Sequence, residues 1–415
     1  MDKAIGDSFG TYGFHNFAKS SAQAYYRIQV PLKALHKLGL SQIYIDGGKD
    51  DREEATQMMY GSDIMLAWHL QGQVGTGIIN EIGDMKSRVV DGILRIPPAF
   101  VFDMDDAIEY VHPLNESFSH FGIRNFAGEF LTPGDSLTWP APDGTMRPLW
   151  VDKQTCGQND EVFDIERNFA MIGRHFDMAR AARGVSVTTE NLAKIYREQG
   201  CKNVYVFPNS VLESDHFFPN LAPHEGIRLV WEGSTSHLES WLPVAKALIE
   251  VLKENPHIKL VTFGAQFTWM VKHIKPEQLE HHNWLDYSAY QITRACLDGD
   301  INLAPLVDSP FNQCKSAIRF YEASIGPRPE VTLAANIGPY KEIEDGQTGL
   351  LYDTPEDFAT KLRALIKSKE LRLTLAGRAR DWVRTNRSAE KTVIDLFEFY
   401  ESLKREQRRE ALATR

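Results

Sequence analysis

The chain of 415 residues has little cysteine and no long apolar run. Its four cysteines, Cys156, Cys201, Cys296 and Cys314, lack C-x-x-C spacing, which argues against a zinc site or a disulfide framework and favours a reducing compartment. No apolar stretch is long enough to span a membrane, and the start, MDKAIGDSFG, lacks the apolar core of a secretory signal. We therefore expect a cytoplasmic protein without stable membrane insertion.

Basic side chains are in the minority. Lys and Arg number 46 against 56 Asp and Glu, and residues 1–200 carry 19 basic and 27 acidic side chains. An acidic half argues against a broad grip on a phosphate backbone there, although it leaves room for a local basic groove. Residues 351–415 are the reverse, with 15 basic and 11 acidic side chains, and their end, SLKREQRREALATR, is typical of a solvated helix.

Short apolar segments alternate with helical patterns along the chain, which indicates parallel α/β architecture. The strand candidates of the first half are SQIYID, SDIMLAW, AFVFDMD, GVSVTT and NVYVFPN. A second series consists of IRLVWEG, IKLVTFGA, DINLAPLV, VTLAAN and TGLLYD, with the predicted helix SHLESWLPVAKALIEVLKENP after its first strand. Two Rossmann-like, doubly wound parallel-sheet domains that face a cleft are therefore expected.

Domain boundaries follow from the two series. We expect an amino-terminal domain over residues 1–210, a proline-containing linker over 211–226, a carboxy-terminal domain over 227–390 and a helical tail over 391–415. Residues 126–160 interrupt the first series and contain a predicted hairpin, in which SLTW and MRPLW flank PAPDGT. Trp139 and Trp150 in this insertion are either core aromatics or a platform for a partner.

The stretch FVFDMDDAIEYVHP places Asp103, Asp105 and Asp106 directly after an apolar strand. The carboxyl end of a parallel strand faces the ligand edge of its sheet. The cluster can be a phosphatase nucleophile with its acid partner, a metal-chelating D-x-D, part of an acceptor site, or an acidic cap of the next turn.

The most specific pattern lies between residues 300 and 352. A strand ends at Pro305, the loop contains PFNQCKS, and a helix begins near Lys315. Lys315, Arg319 and Glu322 share one face of that helix, so its amino-terminal end and Ser316 can hold a diphosphate while the carboxylate binds ribose hydroxyls. A solvated charged stripe would show the same spacing.

This region resembles the carboxy-terminal domain of GT-B fold glycosyltransferases, in the broad class that includes the retaining family 4 enzymes. The likeness spans residues 183–390 and consists of VTTENLAKIY, VYVFPNSV, LVWEGSTSH, Glu322-Ala323, the following IGPRPEVTLAANIGPYKEI and the motif Asp345-Gly346-Gln347-Thr348-Gly349-Leu350-Leu351. The resemblance implies transfer of a sugar from a nucleotide-diphosphate sugar, such as a UDP-sugar, to an acceptor hydroxyl with retention of configuration.

The chain departs from the family 4 pattern at two places. Cys314 replaces the first of two glutamates, and Gly233 is followed by Ser-Thr-Ser-His where a basic pair is usual. A variant group, F-N-x-x-K-S-x-x-K/R-x-x-E, matches better. The resemblance implies that Lys315 is the main cation for the diphosphate. The implied donor site comprises Gly233, Ser234, Thr235, Gly264, Asn312, Lys315, Ser316, Arg319 and Glu322.

FDMDDAI also resembles the first motif of haloacid-dehalogenase-like phosphatases, but Ala107 replaces the expected Thr or Val. GT-B enzymes generally need no metal, so no cofactor is expected besides the nucleotide sugar as co-substrate. The aspartates then lie on the acceptor side. We expect Asp105, Asp106 and Lys315 to be catalytic, and the further acceptor-side residues to be Asp103, His112, Trp139 and Trp150.

The acceptor stays open among saccharides, lipid-linked saccharides, proteins and nucleic acid. PFNQCKS, FDMDD and an aromatic insertion together are similar to phage-type glycosyltransferases, some of which modify hydroxymethylated pyrimidines in DNA. The acidic first half counts against a DNA acceptor. Hexosyl and pentosyl transfer both fit. A non-catalytic protein that binds a sugar nucleotide or a glycan is the remaining alternative, and turnover of a donor to free nucleotide distinguishes an enzyme from it.

Overall fold

A computed structural model of the chain describes residues 9–15, 21–46, 58–59, 61–68, 88–90, 93–140, 144–155, 162–216, 224–296 and 298–413. By their contacts these residues form two compact units. The first unit takes the described parts of 1–105, 173–212 and 386–415, and the second takes those of 106–172 and 213–385. Each unit is built around one parallel sheet of six strands.

The first part of the chain supplies the sheet of the first unit and several short hairpins. Its strands are β1 Gly10–His15, β2 Gln42–Asp46, β3 Ile64–Trp68, β4 Arg88–Val90, β5 Ile93–Arg95, β6 Ala99–Met104, β7 Ser136–Pro140, β8 Met146–Val151, β9 Gln154–Thr155, β10 Val162–Phe163, β11 Gly184–Val187 and β12 Val204–Val206. The sheet order is β12-β11-β6-β3-β1-β2, with all neighbours parallel. The side chains of β3 and β6 are all buried, as expected for strands covered on both faces.

The second unit contains the other six-stranded sheet. Its strands are β13 Ile227–Gly233, β14 Ile258–Gly264, β15 Leu279–His282, β16 Ile301–Ala304, β17 Val331–Ala335 and β18 Leu350–Tyr352. Their order is β15-β14-β13-β16-β17-β18, again parallel throughout. In such a sheet the carboxyl ends of the strands form the edge where ligands bind.

Helices connect the strands. They are α1 Ala22–Ala24, α2 Val30–Lys37, α3 Phe118–Phe121, α4 Ile165–Ala181, α5 Glu190–Glu198, α6 Leu238–Trp241, α7 Ala245–Glu254, α8 Thr268–Val271, α9 Tyr287–Cys296, α10 Pro310–Gln313, α11 Ile318–Ile325, α12 Pro355–Lys367, α13 Lys369–Asn386 and α14 Ala389–Ala413. A π-helical turn, Tyr25–Gln29, joins α1 to α2. Ser309 and Thr354 cap α10 and α12, each followed by a proline at the first helical position.

The carboxy-terminal helix α14 belongs to the first unit. The Lys404 ammonium donates to the carbonyl oxygen of Pro97 at 2.9 Å, and burial lowers the pKa of Lys404 to about 8. Arg183 and Glu410 form an ion pair at 2.6 Å. None of the described helices is long and apolar enough to cross a membrane.

The predicted fold is confirmed, with differences of detail. Each strand named from the sequence is present, and SLTW and MRPLW form the antiparallel pair β7–β8, whose turn at 141–143 lies outside the described residues. The helix predicted after β13 is broken into α6 and α7, because Pro243 has no N–H to continue the first turn. The linear domain boundaries at 210, 226 and 390 stay a prediction.

Candidate functional site

Two glycines end neighbouring strands of the second sheet. Gly233 ends β13 and pairs in register with Gly264, which ends β14. Gly264 has a φ of +83°, and a Cβ there would lie 2.6 Å from the carbonyl oxygen of Gly233. That oxygen also accepts a hydrogen bond from the Ala265 N–H at 2.7 Å. The two strand ends therefore approach so closely that the turn requires glycine at Gly264.

Arg319 of α11 reaches the end of β13. A Cβ on Gly233 would lie 2.6 Å from Nη2 of Arg319, and the guanidinium carbon stands 5.6 Å from the ring centroid of Trp231. Arg319 is only 7% exposed, yet its Nη1 has no hydrogen-bond partner among the described residues. A buried guanidinium without a partner is costly, so this side chain is suited to an anionic ligand.

Lys315 lies in the loop before α11. Its ammonium stands 4.7 Å from the ring centroid of Phe311 and forms no ion pair with a described residue. Burial, followed by the charges of Arg319 and Lys315, holds the pKa of His237 well below its usual 6.5. Two cations without carboxylate partners beside a neutral imidazole form an electropositive position at the end of β13.

Glu322 lies one turn further along α11 than Arg319. Its carboxylate accepts hydrogen bonds from the hydroxyls of Tyr287 at 2.7 Å and Tyr290 at 3.3 Å, both on α9. These contacts orient the carboxylate of Glu322. Arg319 and Glu322 thus share α11, whereas the predicted helix start near Lys315 is wrong: α11 begins at Ile318, and Lys315 lies in the loop before it.

The loop after β13 holds the other predicted donor contacts of that strand. Ser234 caps the 3₁₀ turn Thr235–His237 by accepting from the Ser236 N–H at 3.2 Å. The hydroxyl of Thr235 donates to Glu116 at 2.5 Å. Both hydroxyls are thus engaged within the protein, and the backbone of this turn is fixed.

Asn312 and Ser316 flank Lys315. Asn312 is buried, and its amide donates to Glu239 and to the Val307 carbonyl, at 3.0 Å each. Ser316 is half-buried. Asn312 therefore shapes the PFNQCKS loop from within, whereas Ser316 is more accessible.

His112 contacts the buried Glu239 through Nδ1. The chain of contacts Asn312–Glu239–His112 joins three segments of the second unit. The sequence had not singled out Glu239, although its place two residues after His237 in GSTSHLE puts it beside the predicted donor loop. Glu109, also not foreseen, is buried with Oε1 unpartnered among the described residues, and burial raises its pKa to about 7.

The two tryptophans of the insertion have different surroundings. Trp150 is buried, donates to the Pro113 carbonyl at 2.6 Å, and packs against Phe118 and Phe163 with ring centroids 5.5 Å away. Trp139 is half-buried on β7, opposite Arg147. Trp150 is thus a core aromatic, one of the two alternatives that the sequence left open, whereas Trp139 remains accessible.

The three aspartates also differ. Asp103 is 1% exposed. Its carboxylate accepts hydrogen bonds from Nε and Nη2 of the fully buried Arg27, at 2.7 and 2.8 Å, and from the hydroxyl of Ser186. Asp105 is half-buried and accepts from Nε1 of Trp68 at 3.0 Å. Asp106 is half-buried, and burial together with the charges of Glu109 and Asp106 raises the pKa of the Cys314 thiol to about 12.

The described part of the chain contains no grouping of three or more His, Cys, Asp or Glu side chains that could hold a metal ion. Asp103 and Asp105 have separate partners: Asp103 pairs with a buried guanidinium, and Asp105 accepts from an indole.

Comparisons with known proteins place the fold. No family model and no curated protein matches the chain. Sucrose-phosphate synthase from Thermosynechococcus elongatus is similar in structure, with a TM-score of 0.57 and 10% identity over 95% of this chain and 99% of that one. HepE from Anabaena, in complex with UDP-glucose, has a TM-score of 0.55 and 12% identity over 94% of this chain and 99% of that one. A glycosyltransferase from Rickettsia africae has a TM-score of 0.53 and 13% identity over 96% of this chain and 99% of that one. With the two parallel sheets, these likenesses confirm the GT-B fold.

Proposed function

We propose that the chain is a glycosyltransferase that moves a sugar from a nucleotide-diphosphate sugar to an acceptor hydroxyl. The observation that carries this proposal is the pair of cations at the end of β13. Arg319 is buried without a partner for Nη1, and Lys315 has no ion-pair partner among the described residues. A diphosphate supplies both the charge and the acceptor oxygens that these groups lack.

The rest of the donor fits the same side of the second sheet. With the diphosphate between Lys315 and Arg319, the ribose hydroxyls reach the carboxylate of Glu322, which Tyr287 and Tyr290 hold in place. The likeness to HepE, which was solved with UDP-glucose, makes a UDP-sugar the first donor to test.

Catalysis then rests on two tasks. Lys315 and Arg319 stabilise the negative charge that develops on the departing diphosphate. Asp105 or Asp106 accepts the proton of the acceptor hydroxyl, whereas the carboxylate of Asp103 is already occupied by Arg27. No metal is required in this scheme. Retention of configuration is part of the proposal because the donor motif resembles that of retaining enzymes.

A saccharide hydroxyl is the proposed acceptor, with hydroxymethylated pyrimidine in DNA as the alternative. Trp139, which is half-buried on a hairpin, is suited to stacking against a sugar ring or a base. Comparing the two acceptor classes in one transfer assay decides between them.

Binding measurements on variants test the donor site. Lys315→Ala and Glu322→Ala should each weaken UDP-glucose binding by about 1.5–3 kcal/mol, the usual contribution of a hydrogen bond to a charged group. Melting temperatures should change little, because neither side chain is fully buried. Lys341→Ala, which removes an exposed lysine of the same unit, is the matched control. Calorimetry that finds unaltered affinity in both site variants contradicts the assignment.

A further inference from the structure

His237 occupies the place where the usual basic pair after the first strand is missing. It follows Gly233 by four residues and closes the 3₁₀ turn Thr235–His237. A Cβ on Gly233 would meet His237 Cδ2 at 3.0 Å and Arg319 Nη2 at 2.6 Å, so the imidazole and the guanidinium meet above this glycine. His237 therefore lines the same electropositive position as Arg319.

Two cations from another segment lie close to His237. Arg319 comes from α11 and Lys315 from the loop before it. Two carboxylates of the same unit have other contacts: Glu239 accepts from Asn312 through Oε1 and contacts His112 through Oε2, and Glu116 accepts from Thr235. Neither ring nitrogen of His237 has a hydrogen-bond partner among the described residues. The imidazole thus faces two positive charges and has unused hydrogen-bonding capacity.

A bound diphosphate changes the charges that the imidazole of His237 faces. Without ligand, burial and the two cations keep the pKa of His237 low, so the ring is neutral near pH 7. Two negative phosphate charges beside the ring would offset the charges of Arg319 and Lys315 and offer an acceptor to the ring N–H, and both effects oppose the burial that disfavours the imidazolium. The diphosphate that pairs with Arg319 and Lys315 therefore also stabilises a positive charge on His237.

We propose that His237 takes up one proton from solvent when the diphosphate of the donor binds, and becomes the third cation of the site. The ring nitrogen that gains the proton donates to a phosphate oxygen, and the proton returns to solvent when the nucleoside diphosphate leaves. This inference rests on the proposed function. In this chain a residue that is charged only in the complex supplies what a permanent basic pair supplies elsewhere.

Proton uptake can be measured directly. UDP-glucose is the probe, because both of its phosphates are esterified and do not titrate between pH 5.5 and 8.5. Calorimetric titrations of the wild-type chain in buffers of different ionisation enthalpy give the number of protons bound per ligand. We expect uptake that approaches one proton near neutral pH, with affinity falling up to about tenfold per unit of pH increase in that window.

Variants identify the group. His237→Gln should abolish the uptake and weaken binding about tenfold at pH 6.5, with little difference at pH 8.5. His237→Lys should bind with no pH dependence, since its charge is permanent. His257→Gln, at an exposed histidine of the same unit, should behave like wild type. Unliganded melting curves show whether each variant is folded.

The outcomes separate the two proposals. Wild-type binding of UDP-glucose without proton uptake, or undiminished uptake by folded His237→Gln, overturns the role of His237 and leaves the glycosyltransferase proposal intact. Absence of binding of every nucleotide-diphosphate sugar by the wild-type chain at every pH overturns both.

Discussion

Three aspartates that stand within four positions of the chain have different partners in the folded protein. Asp103 forms a buried ion pair with Arg27, whose guanidinium also donates to the Phe207 carbonyl at 2.8 Å. Asp105 accepts from the indole of Trp68 and stays half-buried, as does Asp106. A carboxylate paired with a buried guanidinium is poorly placed to accept a proton from a substrate, and we therefore propose the catalytic task for the other two.

Substitution by asparagine tests this division, because it removes the charge with almost no change in shape. Asp105→Asn or Asp106→Asn should lower sugar transfer by about a hundred- to ten-thousand-fold while donor affinity is preserved, since the loss concerns general-base help. Asp103→Asn should instead lower stability by roughly 3–5 kcal/mol, because it leaves Arg27 buried and uncompensated. Transfer rate, UDP-glucose affinity and melting temperature are measured on all three variants.

The loss of transfer rate and the loss of stability should therefore occur in different variants. Normal transfer by both Asp105→Asn and Asp106→Asn removes them from the mechanism. An Asp103→Asn protein that melts like the wild type contradicts the structural role of the Arg27 pair. Phosphate release that depends on Asp103, with no sugar transfer, would favour the phosphatase alternative.

Elements whose side chains are buried on both faces were the ones that the sequence predicted well. IMLAW and VTLAA are uninterrupted apolar runs, and both are fully buried central strands. β1 and β15 were not foreseen, because GTYGFH contains two glycines and LEHH is mostly polar, so neither shows an apolar run. Their strand conformation depends on pairing with neighbours, which local sequence does not encode.

The end of β13 is the element on which the proposed site depends. Gly233→Ala should place a methyl group 2.6 Å from Nη2 of Arg319 and 3.0 Å from His237, so the cation must move. We expect UDP-glucose binding to weaken by at least about tenfold, comparable to the loss of one charge-assisted contact. Calorimetry on the folded variant measures this effect.

Gly173→Ala provides the matched control. Gly173 lies inside α4 with nothing within 4 Å of an added Cβ, so this change should leave donor binding intact and stabilise the helix by up to about 1 kcal/mol. Equal donor affinity in Gly233→Ala and wild type would show that Arg319 does not need its present position.

At the scale of the whole molecule, the sequence predicted the GT-B fold and its two sheets, which the structure confirms, whereas the donor role of residues 300–352 stays a prediction. The domain boundaries stay a prediction, and the contacts within the structure group residues 106–172 with 213–385 and α14 with the first unit. Such groupings arise from contacts between residues distant in sequence, such as Lys404 and Pro97. A local sequence pattern does not predict these contacts. The sequence did not single out His237 for the same reason, since the charges beside its ring belong to Arg319 and Lys315 of another segment.

The central claim is that this chain breaks the bond between a sugar and a nucleoside diphosphate by means of Lys315 and Arg319. The direct test incubates the wild-type protein with a panel of nucleotide-diphosphate sugars, with saccharide or hydroxymethylated DNA acceptors and with EDTA present, and quantifies released nucleoside diphosphate and glycosylated product. We predict equal amounts of both products from at least one donor, without added metal, and strongly reduced amounts with Lys315→Ala.

Binding of a donor without any release would indicate a non-catalytic binding protein. Loss of turnover in EDTA that manganese restores would revive a metal role for Asp103 and Asp105. Failure of every nucleotide sugar both to bind and to react would contradict the account.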